Sequence, residues 1–263
     1  MLFGANTMTF YDRPILEAIE VIARCGFDCV EIWVDHAWDE QKGAKSEVMG
    51  ATIAQYGLET TVHCPIMDIN ITSPNKGIRA ESLRQTFRAI DLARDLESRL
   101  IVMHPGHMFS SREPFAIHWV YQVDSIQKIL SYAQEQGVMV ALENMDSNKD
   151  TVSVKDWADL QRLFADCRSM EKLVTLDTTH LRETEQVLSF IAQARSNIVH
   201  LHLSDGTINQ MHLPLGEGNL NLSAIAQALG KIGYTGVCSL ECFIPNDEYM
   251  LQQELFKARD LFK

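Results

Sequence analysis

Two rhythms alternate along this chain. Short β-branched and apolar runs occupy Leu2–Thr9, Cys29–Val34, Glu59–Cys64, Arg99–His104, Val138–Glu143, Leu173–Asp177, Ile198–Leu203 and Gly236–Phe243. Runs of this length and composition predict strands. Between them, apolar positions recur at helical spacing near residues 14–24, 46–56, 77–96, 116–136, 154–165, 184–194, 222–231 and 247–262. The punctuation agrees. Pro14 stands where a first helical turn has no use for an N–H, and Gly26, Gly57, Gly137 and Gly233 follow helical stretches as left-handed caps would. Strand and helix repeat at about 33 residues per unit, without a linker or low-complexity segment, which predicts an α/β fold: a single (β/α)8 TIM barrel over residues 1–263.

In such a barrel, alternate side chains along a strand face the interior, and reactive groups come from the C-terminal strand ends. Strand five, Val138-Met139-Val140-Ala141-Leu142-Glu143, puts Glu143 last on the inner parity. Strand six ends in Asp177, strand seven sends His200 and His202 inward, and strand eight does the same with Glu241. Strands three and four finish at His63 and His104. Six consecutive strands thus deliver a carboxylate or an imidazole to one rim. With neighbouring strands ~4.8 Å apart, these groups can meet at one centre, and a divalent cation would offset the clustered negative charge. Glu143, Asp177, His202 and Glu241 form an oxygen-rich set suited to Mn²⁺, Mg²⁺ or Co²⁺; adding His63, His104, His180 and His212 shifts the preference toward Zn²⁺ or Mn²⁺. His200 lies a layer deeper and reads as support, and His36, His107 and His118 read as surface or packing residues.

Composition narrows the setting. The net charge of −12 disfavours a broad basic face for nucleic acid. Six dispersed cysteines, with no CxxC pair, predict free thiols in a reducing compartment. The N-terminus has no signal-like pattern and no segment has the length of a membrane span, so the expected location is cytoplasmic. Monomer and homo-oligomer are both compatible with these numbers.

Seven short motifs, in order and each at a strand end, carry a family resemblance. They are Val62-His63-Cys64-Pro65, Met103-His104-Pro105-Gly106, Leu142-Glu143-Asn144, Leu176-Asp177-Thr178-Thr179-His180, His202-Leu203-Ser204-Asp205, His212-Leu213-Pro214-Leu215-Gly216-Glu217-Gly218 and Leu240-Glu241. Together they resemble the xylose isomerase-like TIM-barrel superfamily, which includes sugar phosphate isomerases and epimerases and the endonuclease IV type of apurinic nuclease. The resemblance implies that Glu143, Asp177, His202 and Glu241 are the metal ligands of the isomerase and epimerase members. His63, His104, His180 and His212 match additional zinc ligands of the nuclease branch. The chain departs from that branch at Gln210, where an aspartate ligand is expected, and at Ile66, in place of an aromatic used on DNA. It departs from ketose 3-epimerases at Asn148 and Lys149, where a second glutamate is expected, and at Thr207 and Ile208, where an arginine is.

The expected activity is a divalent-metal-dependent isomerase or epimerase of a sugar, sugar phosphate or keto acid, moving a proton beside a carbonyl through a stabilised enediolate. Glu143 and Glu241 would serve as base and acid, and His180 would orient or shuttle a proton. Glu31, Trp33, His63, His104 and His212 are the expected contacts to the small carbohydrate, with barrel filling an equal reading for Trp33. The long segment 206–221 is expected to cover the site, and Gly216-Glu217-Gly218 reads as a tight turn rather than a phosphate cradle. The alternatives are an endonuclease IV-like zinc phosphodiesterase on abasic DNA, a metal-dependent lyase or dehydratase on a hydroxy acid, and a binding protein without activity.

Overall fold

The computed structural model describes residues 1–244 and 246–263. Eight parallel strands close into a barrel in sequence order: β1 (Leu2–Asn6), β2 (Cys29–Trp33), β3 (Glu59–His63), β4 (Ile101–Met103), β5 (Val140–Glu143), β6 (Val174–Asp177), β7 (Ile198–Leu203) and β8 (Val237–Leu240). β1 pairs with both β2 and β8, so no strand edge is left open. Among the described residues, no helix is long and apolar enough to cross a membrane.

The helices behave as the apolar spacing requires. α1 (Ile15–Arg24) buries Ile15, Ala18, Ile19 and Ile22, one helical face turned onto the sheet. α2 (Val34–Ala37) is a single turn directly after β2, and α3 (Ser46–Tyr56) ends at Gly57, whose φ of 65° is the left-handed conformation that side chains resist. The two longest helices, α4 (Lys76–Asp95) and α5 (Phe115–Gln136), follow β3 and β4, and α5 stops at Gly137 in the same way, with φ 71°. Next come α6 (Trp157–Asp166), α7 (Thr184–Ala194), α8 (Leu222–Lys231) and α9 (Glu248–Leu261).

Several boundaries differ from the sequence reading, and three of them have a clear local reason. β1 ends at Asn6 rather than Thr9 because the Asn6 side chain accepts the Met8 N–H at 2.9 Å and turns the chain into a 3-10 segment, Thr7–Phe10. α6 begins at Trp157 because Asp156 caps it, accepting the Asp159 N–H at 3.0 Å. β8 stops at Leu240 rather than Phe243: the Phe243 N–H turns aside and donates to the His212 carbonyl at 2.6 Å.

Register sets the height of each inward side chain. Trp33 lies beside His63, Glu31 beside Thr61, and Asn6 beside Glu31. A shift at Val174/Thr175 brings Asp177 level with His202 on β7. The lower interior is apolar, built from Leu100, Val102 and Ala141 with Leu173 against them. Polar groups are therefore stacked toward the C-terminal mouth.

Candidate metal centre

The last inward residues of β5, β6 and β7 converge with Glu241, the residue that follows β8. Glu143, Asp177, His202 and Glu241 each offer one ligand atom, and the four atoms lie within 4.8 Å of one another. Glu143, Asp177 and His202 are buried, and Glu241 is nearly so. Six histidine and carboxylate positions expected at the rim are brought together as their strand ends required.

Hydrogen bonding separates a structural atom from a free one on Asp177 and His202, and leaves Glu143 free at both oxygens. Asp177 Oδ1 accepts three bonds, from the Thr179 N–H at 2.7 Å, the Thr179 hydroxyl at 3.0 Å and the His180 N–H at 2.9 Å. Asp177 Oδ2 has no hydrogen-bond partner among the described residues, although it is buried. The same holds for both carboxylate oxygens of Glu143, for Oε2 of Glu241 and for Nδ1 of His202. Buried polar atoms are normally satisfied, and unsatisfied ones on four residues whose ligand atoms lie within 4.8 Å of one another could hold a cation. The residues present fit a hard or borderline divalent ion: three carboxylates and one imidazole, without thiolate.

Four more histidines ring this quartet. His63 Nδ1 donates to the Cys64 carbonyl at 2.8 Å, leaving Nε2 as the lone-pair nitrogen, 3.7 Å from Glu143 Oε2. His104 Nε2 stands 3.3 Å from the same oxygen. His180 Nδ1 donates to the Asn144 carbonyl at 2.7 Å, which likewise frees Nε2. His212 Nδ1 is 4.0 Å from Asp177 Oδ2. Three further sets meet ligand spacing: His63 with His104 and Glu143, Asp177 with His180 and His212, and, deeper, Glu31 with His200 and His202.

Without a cation, the cluster balances its charge with protons. Burial pushes the Glu143 carboxyl up, but His202 and His104 outweigh it and hold it well below its ordinary value. Glu241, also opposed by burial, is held down at about 2 by His202 and His212. Burial lowers His180, yet Asp177 and Glu143 raise it to about 10, and His202 is raised well above its ordinary value against the same burial by Glu241, Glu31 and Glu143. A divalent ion would displace such protons.

Other expected site residues fall elsewhere. Glu31 is fully buried, beneath the quartet rather than at the cavity surface. Trp33 is almost completely buried, with Tyr11 edge-on at 5.1 Å, which favours barrel filling. His200 is fully buried one layer below the rim, as expected. His36 is clasped between the Thr7 and Arg13 carbonyls, His118 is buried against Ser153, and His107 is exposed. Gln210 is exposed in a turn closed by Thr207.

Sequence reasoning missed two organisers. Asn144 Nδ2 donates to the Asp177 carbonyl at 3.1 Å while its Oδ1 accepts the Asp177 N–H at 2.9 Å, so one amide clamps the end of β6. Asp205 accepts the backbone N–H groups of Gly206, Gly216 and Leu220 and pairs with Leu213, shaping the segment that carries His212. Gly216, at φ 88°, serves this turn, as the tight-turn reading anticipated. A cavity of about 390 Å³ opens beside Glu241 and His212, walled by Met8, Tyr11, Phe243 and Ile244.

Residues 19–259 match the family described as xylose isomerase-like TIM barrel, and the chain belongs to that family. Its curated relatives include an uncharacterized protein of Methanocaldococcus jannaschii, 26% identical over 246 residues that span 92% of this chain and 83% of that protein. The probable endonuclease 4 of Malacoplasma penetrans is 24% identical over 159 residues, 56% of this chain and 53% of that one. Among solved structures, a D-tagatose 3-epimerase-like protein overlays with a TM-score of 0.83 at 23% identity, covering 100% of this chain and 98% of the other. The 3-keto-D-glucoside 4-epimerase of E. coli overlays with a TM-score of 0.83 at 21% identity, covering 99% of each chain. At these identities the overlays establish a shared barrel.

Proposed function

We propose that this chain is a divalent-metal-dependent sugar isomerase or epimerase. The observation that carries the reading is the set of five buried, unpartnered ligand atoms on Glu143, Asp177, His202 and Glu241. A cation held there would supply a Lewis acid for charge developing on a carbonyl oxygen. The protein supplies the rest. Glu143 and Glu241, from β5 and the end of β8, serve as base and acid toward the carbon beside the carbonyl. His180, its ring fixed by the Asn144 carbonyl, presents Nε2 to a substrate hydroxyl. The apolar wall of Met8, Tyr11, Phe243 and Ile244 suits the carbon face of a small sugar, and mixed polar and apolar lining is usual in such sites. That sugar epimerases share the barrel agrees with this reading.

The test is solvent deuterium exchange into ketoses and keto acids by protein stripped of metal and reloaded with Mn²⁺ or Zn²⁺. Glu143→Gln and Glu241→Gln should each lower exchange at least ~10²-fold. Unimpaired exchange in either variant rejects its assigned role, and loss of water from the substrate would make the protein a lyase.

A second reading is a zinc phosphodiesterase on abasic DNA. It is favoured by the two additional ligand sets, around His63 and His104 and around His180 and His212, and by the similarity to a probable endonuclease 4. Against it stand Gln210 in place of an anionic ligand and the net charge of −12. Three zinc ions per chain with cleavage of an abasic duplex would select it; one metal and an intact duplex would reject it.

A further inference from the structure

Beneath the quartet lies a fully buried polar cluster that the proposed chemistry does not consume. Glu31 Oε2 is 2.6 Å from Nε2 of His200, and Glu31 Oε1 is 3.2 Å from Nε2 of His202. Asn6 Nδ2 donates to Oε1 at 2.7 Å, and the Thr61 hydroxyl donates to Oε2 at 3.3 Å. Four side chains from β1, β3 and β7 thus converge on one carboxylate with no exposure to solvent.

This cluster has ligand-like spacing, yet it is bonded as a hydrogen-bond network. Unlike the free atoms of the quartet, the Glu31 oxygens and the Nε2 atoms of His200 and His202 all have hydrogen-bond partners. Each Glu31 oxygen is also already engaged by a neutral donor, Asn6 or Thr61. Four groups meet the two Glu31 oxygens, with Asn6 and Thr61 donating, so the carboxylate accepts throughout and the imidazole nitrogens facing it carry the protons.

The ring geometry of His202 makes this consequential. With Nε2–H pointing down at Glu31, its Nδ1 points up, 2.8 Å from Glu241 Oε2 and 3.6 Å from Glu143 Oε1. In the opposite tautomer an N–H would face the carboxylates and the lone pair would face Glu31. No cation could then be bound through His202 Nδ1.

We propose that Glu31 is a positioning residue: through His202 Nε2–H it fixes the ring orientation and tautomer that present Nδ1 as a metal ligand, with Asn6, Thr61 and His200 holding the carboxylate in place. The proposal deepens the metal-dependent reading and rests on it. Carboxylate partners of ligating histidines commonly set affinity in this way, by about 10–100-fold.

The experiment measures binding and nitrogen protonation rather than turnover. Calorimetric titration of stripped protein with Zn²⁺ should show Glu31→Gln binding about 10–100-fold more weakly than wild type, with Glu31→Asp recovering part of the loss. In zinc-loaded wild type, long-range ¹⁵N–¹H correlation should show His202 protonated at Nε2 and metallated at Nδ1. That second readout needs no variant, so a Glu31→Gln chain that misfolds leaves the test intact. Equal zinc affinity in wild type and Glu31→Gln, or metallation of His202 at Nε2, overturns the role of Glu31 while leaving a metal enzyme. A wild-type chain that binds neither Zn²⁺ nor Mn²⁺ removes the metal-dependent reading, and the role of Glu31 with it.

Discussion

His202 Nδ1 stands 2.8 Å from Glu241 Oε2, yet neither atom has a partner in hydrogen-bond geometry. The pair comes from adjacent strands, β7 and the end of β8, and both atoms face the point that Glu143 and Asp177 also face. A divalent ion at that point would take both atoms as ligands.

Metal should therefore stabilise the fold by mass action. At a free concentration 100 times Kd, a bound ion adds about 2.7 kcal/mol. For a chain of this size that corresponds to a rise in Tm of about 5–10 °C in Mn²⁺ or Zn²⁺ over chelated protein. Asp177→Asn and His202→Gln should each abolish most of the increment, because either removes one of four ligands. A variant with the full wild-type shift would place the bound ion elsewhere.

The amide of Asn144 should matter more than its lack of ligand atoms suggests. It satisfies both the N–H and the carbonyl of Asp177 inside the protein, where water cannot substitute. Asn144→Ala leaves two buried backbone groups unpaired, at about 1–3 kcal/mol each. Chemical denaturation should show a loss of at least about 2 kcal/mol, with weaker metal binding at sub-denaturing concentrations. A neutral result would mean that the end of β6 is held by the barrel alone.

Asp205 should govern the segment that carries His212. Its carboxylate gathers three backbone N–H groups, at 2.7, 3.0 and 3.1 Å, and Gly218 packs so closely on it that a Cβ would collide with the Asp205 oxygen and the Gly206 backbone. His212 itself sits at φ 57°, a conformation that survives only when its surroundings impose it. Both Asp205→Ala and Gly218→Ala should release this segment. Limited proteolysis should then cut within residues 206–221 well before the barrel opens, and unchanged protection in both variants would show that other contacts hold the segment.

How far the chain could be read in advance depended on depth more than on direction. Parity along a strand fixed which side chains point inward, so Glu143, Asp177, His202 and Glu241 were legible before any coordinates. Parity does not fix height. Glu31 and His200 share an inward parity with Trp33 and His202 but sit two residues earlier, roughly 6.6 Å lower in a strand. Treating His200 as support and Glu31 as a sugar contact applied that depth rule to only one of them. Asn6 escaped notice because strand one was expected to run on to Thr9; a turn made by a side chain bonding its own backbone leaves no periodic signal. Asp205 and Asn144 were visible as motif residues, but their work is done on backbone groups distant in sequence.

His118 gives the fold a pH response separate from the metal centre. Its Nε2 bonds the Ser153 hydroxyl at 2.9 Å, Ser153 donates to Gln122 Oε1 at 2.9 Å, and Gln122 Nε2 donates to the Pro105 carbonyl at 2.8 Å. Since Ser153 spends its proton on Gln122, His118 must donate, and its other nitrogen is buried without a partner. Burial, with a smaller contribution from His107, pushes His118 down from its ordinary 6.5 to about 4. The unfolded chain therefore takes up this proton first as pH falls. The stabilisation from neutral His118 is complete above pH 6.5, declines between 6.5 and about 4, and is flat below, because both states are then protonated. Denaturant titrations at pH 7.5, 5.5 and 4.5 on metal-free protein should show wild type losing stability faster than His118→Gln, which cannot take up the proton. Parallel losses would mean that His118 is already protonated, or already solvated, in the folded chain.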